Sequence, residues 1–464
     1  MAEAAHSYAY LGRSGADPVG RRASLQTSGG VTVAGSAANP RFFTGFLARA
    51  EQAAAGLLAV ANVAQARYYQ PQRIGLRDPV VTCNGDRLRF ESFSGCCGVY
   101  ARLDVLSEAL DGEVHDRGTT NVDVNAPLRE ALARIGGADP LHLAVGPDEL
   151  AVTTLAGPVV EKKVPLPERW LRGFAEVQVL AAGFDLRAEL AAAEGQRFLR
   201  SLPGGARGPA LWAVPAGRSL RLASRPLPGA VCVPGPQRLA TLEPLLRHGR
   251  RLRVYGPVIG PASPPSASAW ELVLGGMRLL VTLSPEPYRG FSGEGAVLEA
   301  LAGDEVEADA ELVGALLAFE PRVKVDLLAE RSGLSAAQVL AALGQLGTGG
   351  RVGYDVTEAA YFHRELPYDA AGVEAMNPRL ANARALVAAG AVRLEGALAT
   401  VAVGDHRHRV RLDVDGGAAC TCSWWARYRG GRGKCKHVLA AELARAGQPT
   451  GRDDPVAATP AGGR

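Results

Sequence analysis

The chain has 464 residues, with 51 Lys and Arg against 47 Asp and Glu, for a formal net charge of +4. That length exceeds what one hydrophobic core supports and calls for about three or four domains, while a total charge so near neutral argues for nothing by itself, and any case for a nucleic-acid partner must come from where the charge sits. No run of about 18 apolar residues could cross a bilayer, and Met1 to Gly35 lacks the apolar segment of a secretory signal. A cytoplasmic protein with no membrane partner is therefore expected, and its seven cysteines read as thiols or metal ligands before disulfides.

Residues 1–40 are rich in Gly, Ala and Ser and read as a loosely ordered leader. Phe42 to Tyr69 places Phe46, Leu47, Leu57, Leu58 and Val60 at helical spacing. From Pro79 the pattern changes to strands: Val80, Val81 and Cys83 run into Asn84-Gly85, a two-residue hairpin signal, and Leu88 and Phe90 continue beyond it. Short strands follow at 141–145, 150–154 and 159–164, and then helix from Glu168 to Leu202, which together predict an α+β domain over 41–203. After a Gly/Pro-rich break, strands over Trp212 to Val254 and Trp270 to Leu283, with a helix near 239–247, predict a second α+β region over 210–301.

Residues 305–370 read as three helices and two strands, a winged-helix-like module. Ser335 and Gln338 form a capping box, Val339, Leu340, Leu343 and Leu346 share a face, and Gly347 to Gly350 ends the helix. This third helix carries no Lys or Arg, only Gln338 and Gln345, so it reads as a packing element before a reader of DNA. Arg322, Lys324, Arg331, Arg351 and Arg364 are the module's candidates for reaching a phosphate backbone from the edges.

Strands at 391–395 and 398–403 open the C-terminal module. His406 to Val414 then alternates, with Arg407, Arg409 and Arg411 on one face and His408, Val410, Leu412 and Val414 on the other. After a turn come Cys420-Thr421-Cys422 and, twelve residues later, Cys435-Lys436-His437 at the start of an apolar helix. Three thiolates and one imidazole complete a tetrahedral zinc shell and leave no open position, so Cys420, Cys422, Cys435 and His437 predict one structural Zn2+. Arg432, Lys434 and Lys436 offset the negative charge of the thiolates. Cys83, Cys96, Cys97 and Cys232 are read as core thiols, and His142 and His363 as structural histidines.

The spacing C-x-C-x12-C-x-H, with Cys-Thr-Cys-Ser-Trp-Trp and Gly-Lys-Cys-Lys-His-Val-Leu-Ala around it, resembles the bacterial members of the SWIM zinc-finger family. The resemblance covers about the last 60 residues. The stretch Gly118 to Asn125 adds a wider similarity to long actinobacterial SWIM proteins. It implies a strand-strand-knuckle-helix finger over 385–447 that binds nucleic acid or protein.

Between His406 and His437 eight Lys or Arg face two Asp, a net of +6, which leaves −2 for the rest of the chain. Arg407, Arg409, Arg411, Arg427, Arg429, Arg432, Lys434 and Lys436, interleaved with Trp424, Trp425 and Tyr428, make a candidate surface for phosphates and unpaired bases. A protein-adaptor surface is the alternative, and the tryptophans could equally form the module's core. No nucleotide-binding loop, nuclease constellation or small-molecule site is evident, so no enzyme is expected. A catalytic function within 41–301 stays open, to be read from any deep polar pocket there. Residues 448–464 read as a disordered tail.

Overall fold

The computed structural model describes residues 15–17, 22–24, 30–32, 35–37, 41–68, 79–204, 210–291, 304–366, 378–413, 417–429 and 433–446. Most of the expected leader, all of the expected tail and Arg432 lie outside them. The chain divides into two compact units: Met1–Gly293 with Val306–Asp369, and Glu294–Glu305 with Ala370–Arg464. No helix among the described residues is long and apolar enough to cross a membrane.

The first unit is built on an eight-stranded antiparallel sheet in the spatial order 118–121, 80–83, 87–93, 99–106, 277–283, 268–273, 251–256, 185–191. The regions expected to be separate, 41–203 and 210–301, thus share one sheet, because Val99–Leu106 pairs along its length with Met277–Leu283. The Gly/Pro-rich break at 203–209 is a connection within one core. A five-stranded antiparallel sheet, ordered 157–162, 149–154, 142–145, 43–47, 110–114, packs beside it.

Two helical expectations are corrected. Phe43–Leu47 is a strand between His142–Val145 and Leu110–Val114, and the helix begins only at Ala50 and ends at Gln65. The helical stretch from Glu168 is interrupted at Asp185–Ala191 by the sheet's edge strand, which pairs with Arg251–Gly256. In both places a neighbouring strand's hydrogen bonds override local helical spacing.

Side chains on the large sheet alternate by face. One face, with Leu88, Phe90, Val99, Ala101, Leu103, Leu279 and Val281, joins the helix Ala50–Gln65 in the main core. The opposite face carries Arg87, Arg89, Glu91, Tyr100, Arg102, Asp104, Glu271 and Arg278, and all eight are buried.

What covers that charged face is the winged-helix-like module. It comprises the helices Asp304–Leu316, Val325–Ser332 and Ala336–Thr348 and the hairpin Val352–Asp355/Ala360–His363. The Ser335 and Gln338 capping box opens the third helix as expected. Its C-terminal half lies on the helix Glu168–Ala182: a β-carbon at Gly347 would fall 2.0 Å from the Gln178 amide, which would have to move aside for any larger residue.

The hairpin docks through ions. Asp355, at its turn, is 3.0 Å from Arg89, 2.9 Å from Arg102 and 3.0 Å from Arg278. Asp104 bonds the same three arginines at 3.0, 3.1 and 2.9 Å. Arg87 reaches Glu358 at 2.6 Å, and Arg364 reaches Glu91 at 2.7 Å. Phe362 lies under the Arg89 guanidinium at 3.9 Å.

Arg364, expected as an edge contact for a phosphate backbone, is therefore consumed inside the protein and fully buried. Of its companions, Arg322 pairs with Glu358 at 3.3 Å, and Arg331 and Arg351 donate to the Leu316 and Gly314 carbonyls.

Burial by itself would raise the carboxyl pKa of Asp355, but Arg102, Arg89 and Arg278 overrule it and hold it well below the ordinary value; Asp104 is lowered by the same three cations. Both groups therefore contribute stability that is present above the ordinary carboxylate pKa of about 4 and lost as pH falls toward the depressed native values. Asp355→Ala leaves three buried guanidiniums around one carboxylate, and a loss of about 3–5 kcal/mol is expected. Denaturant unfolding of the full chain, followed by tryptophan fluorescence at pH 7, measures it. An unchanged midpoint would contradict the role given to Asp355.

Candidate metal centre

The second unit is described from Pro378. Its antiparallel sheet has the order 392–395, 398–403, 406–412, 418–420. Along His406–Leu412 the alternation is as the sequence predicts: Arg407, Arg409 and Arg411 are exposed, Val410 and Leu412 buried, and His408 half-buried on their side. Val410 pairs with Cys420, and the chain stays in register beyond it, since Arg409 N–H donates to Thr421 Oγ1 at 3.0 Å and Thr421 N–H to the Arg409 carbonyl at 3.1 Å.

Cys420 ends the last strand. Cys422 caps the short helix Ser423–Tyr428, its sulfur accepting the Trp425 N–H at 3.4 Å. Cys435 precedes the helix Lys436–Ala446, and His437 stands in that helix's first turn. Val438, Leu439, Ala440 and Ala441 then bury the helix against the sheet.

All four side chains are buried, and their three sulfurs and one ring nitrogen lie within 4.8 Å of one another. The imidazole presents Nδ1, 3.8 Å from Cys420 Sγ and 4.0 Å from Cys435 Sγ. Zinc bonds of about 2.3 Å to sulfur and 2.0 Å to nitrogen span tetrahedral edges of about 3.5–3.8 Å, so the cluster fits a zinc ion with slight closure. A hydrogen bond from Cys420 lowers the pKa of Cys435, and that of Cys420 rises in return. Metal binding would displace the thiol protons, so affinity would weaken as the pH is lowered.

The remaining candidate residues separate into groups. Arg427 and Arg429 are exposed on the knuckle, with the Arg427 guanidinium 5.3 Å from the Tyr428 ring. Arg411 is paired to Asp413 at 3.0 Å. Lys434 is tied to Glu442 at 2.9 Å, and Lys436 is half-buried. Trp424 and Trp425 are both half-buried and pack on the finger's core.

Trp424 touches Tyr428 with ring centres 4.6 Å apart, and its other contact is a residue the sequence reading missed: the guanidinium of Arg379 lies 4.7 Å from its ring and donates to the Lys434 carbonyl at 2.9 Å. Arg379 belongs to the helix Pro378–Ala388, which packs on Lys436–Ala446. The expected finger boundary at 385 falls inside this helix. An Ala-rich segment with a weak apolar stripe gave little periodic signal of it.

His408 was read only as an inward-facing residue. Its ring centre is 4.0 Å from that of His437, and burial, then the neighbouring His437, lowers its pKa.

Elsewhere the cysteines are thiols: burial pushes Cys83 up to about 11, Cys97 to about 12 and Cys232 to about 11. A groove of about 440 Å³ is lined by Phe46–Gln52, Gly137–Leu141 and His248. Its acid Glu51 is bonded to Arg247 at 2.7 Å and stands 3.9 Å from His248.

A Cys3His centre between a strand, a knuckle and a helix defines a zinc-finger module. Residues 408–446 match the SWIM zinc finger family, as the spacing led one to expect, and residues 294–353 match the DprA winged helix domain. No curated protein matches the chain. Among solved structures, Proliferating Cellular Nuclear Antigen from Entamoeba histolytica is similar over 53% of this chain and 99% of its own, at 9% identity and a TM-score of 0.35. A likeness at that level carries no argument about partner or fold.

Because Arg379 ties the preceding helix to the knuckle, Arg379→Ala is expected to cost the finger about 1 kcal/mol and to speed amide exchange in 378–388. Hydrogen-exchange mass spectrometry reads this directly, and unaltered exchange there would refute it.

Proposed function

We propose that the C-terminal finger holds one zinc ion in a structural role and binds nucleic acid, DNA or RNA, without catalysing a reaction on it. The observation that supports this most is the row Arg407, Arg409 and Arg411: three exposed guanidiniums on one face of one strand, about 6.8 Å apart by strand geometry. Such a row suits successive phosphates of one nucleic-acid strand and gives affinity without sequence readout. Arg427 and Arg429 extend the charge onto the knuckle, where the half-exposed Trp425 and Tyr428 offer aromatic surface for a base. The winged-helix module does not serve as the reader, since its hairpin is committed to the buried ion cluster and its third helix has no cation. Unpaired thiols throughout suit the reducing cytoplasm.

A second reading, a protein partner, is favoured by Asp413, which pairs with Arg411 at 3.0 Å and sets an acid beside the same row. Salt-dependent binding of the full chain to labelled single-stranded and duplex oligonucleotides separates the two. The expected outcome is an affinity falling steeply between about 50 and 200 mM salt, as counterions are released from the phosphates, and a logarithmic salt slope reduced by about 1.5 in the Arg407→Ala/Arg409→Ala variant. Binding that is absent, or unmoved by that variant, favours the protein partner.

For the metal, mass spectrometry of the purified chain should find about one zinc. Cys420→Ser or His437→Ala should lose it and expose 378–446 to protease while the first unit stays resistant. Unchanged protease resistance would sink the structural role.

A further inference from the structure

We propose that His408, which is not a metal ligand, is the positioning residue for the imidazole of His437 and thereby sets the affinity of the centre for its metal. The inference rests on the zinc reading and adds to it a residue that the ligand motif does not contain.

The argument begins with register. Val410 stands opposite Cys420, and the Arg409 and Thr421 backbone bonds carry the pairing one step further. His408 is next in line, across from Cys422, with its side chain on the inner face of the sheet. A residue at this position meets whatever the helix Lys436–Ala446 presents from its first turn, which is His437. The two rings are 4.0 Å apart at their centres and inclined by 31°, a contact between ring faces.

His437 needs such a contact. Its Nδ1 faces the sulfurs of Cys420 and Cys435, so Nε2 is the nitrogen left for an outer partner. In most metal sites that second nitrogen donates to a carboxylate, carbonyl or water, and the bond fixes the ring's rotation and strengthens the ligand. Here Nε2 is buried and finds no hydrogen-bond partner among the described residues. With that restraint missing, rotation of the ring about its Cβ–Cγ bond is limited by what lies against its face, and His408 lies there.

The same residue sits between Arg407 and Arg409 in the chain. Because side chains alternate along a strand, fixing His408 inward fixes both arginines outward.

The test uses the full-length chain as wild type, His408→Ala, His408→Phe and, as a control, Arg445→Ala, at an exposed position in the last turn of the helix that carries His437. Zinc affinity is measured by competition with a chromophoric chelator. The centre's geometry is read from the d–d absorption of the cobalt(II)-loaded protein. His408→Ala is expected to bind zinc about tenfold more weakly, the lower end of the range for lost outer-shell support, with an altered cobalt envelope. His408→Phe keeps a flat ring in place and is expected to recover most of the affinity and the wild-type envelope. Arg445→Ala should match wild type in both.

If His408→Ala binds zinc as wild type does with the same cobalt spectrum, the inference fails while the zinc reading stands. If His408→Phe is as weak as His408→Ala, the stacking role fails. A wild type that takes up neither metal overturns the zinc reading itself and this inference with it. Should the alanine variant not fold, the phenylalanine variant still decides, since an altered affinity and spectrum there contradict the proposal.

Discussion

The first unit depends on one buried arrangement of charge: Arg89, Arg102 and Arg278 around Asp104 and Asp355, with Asp104 on the sheet and Asp355 on the hairpin. Removing ions of this size from water is costly, and the attraction among them offsets that cost only where the geometry is good and the remaining lone pairs are bonded. The consequence is specificity of docking. An apolar face could slide against its cover; three guanidiniums and two carboxylates fit in one way. The hairpin, the feature that gives a winged helix its name, is held to the sheet by that fit.

The finger meets the opposite problem. Among the described residues its sheet of short strands and its helices bury few large side chains: Leu380, Val401, Val410, Leu412, Val438 and Leu439 with the ligands themselves. A module this small has little apolar area to stabilise it. A metal would join the end of the last strand, the knuckle and the first turn of the helix at one point. The Arg379 and Trp424 contact closes the same region from the preceding helix. The first unit is thus fixed by charges taken out of water, and the second by a ligand cluster where a core would be.

What was legible in the sequence follows from which signals are local. The ligand set was readable because coordination demands fixed residue types at short spacing, and the parity of Arg407 and Val410 because a strand's period is two. The capping box at Ser335 is likewise written within four residues. The large sheet was not legible. Arg87, Arg89 and Glu91 alternating with Leu88 and Phe90 look like a strand with one wet face, whereas that face is closed by residues more than 260 positions away, such as Asp355. Nothing within the strand encodes that partner. For the same reason the sharing of one sheet by 80–121 and 251–283 was hidden: strand neighbours are chosen over the whole chain, while a Gly/Pro-rich break is seen at once and was read as a boundary. His408 and Arg379 escaped because each acts on a ligand or its neighbour through a ring contact, for which no residue pattern exists.

The same distinction governs how the charge should be read. Residues 378–446 hold 12 Lys and Arg against 5 Asp and Glu, a net of +7, leaving 39 against 42, a net of −3, for the rest. In the first unit the arginines at 87, 89, 102, 238, 278 and 364 are buried and bonded to carboxylates or carbonyls, so none of them is open to a phosphate. In the finger, Arg393, Arg407, Arg409, Arg427 and Arg429 are exposed. A counterion-release interaction draws only on charges that water reaches. The first unit exposes cations too, such as Arg41, Arg117, Lys163, Arg218 and Arg225, but outside 378–446 acids outnumber bases, whereas the finger's exposed cations stand in a local excess. That asymmetry points any polyanionic partner to the finger.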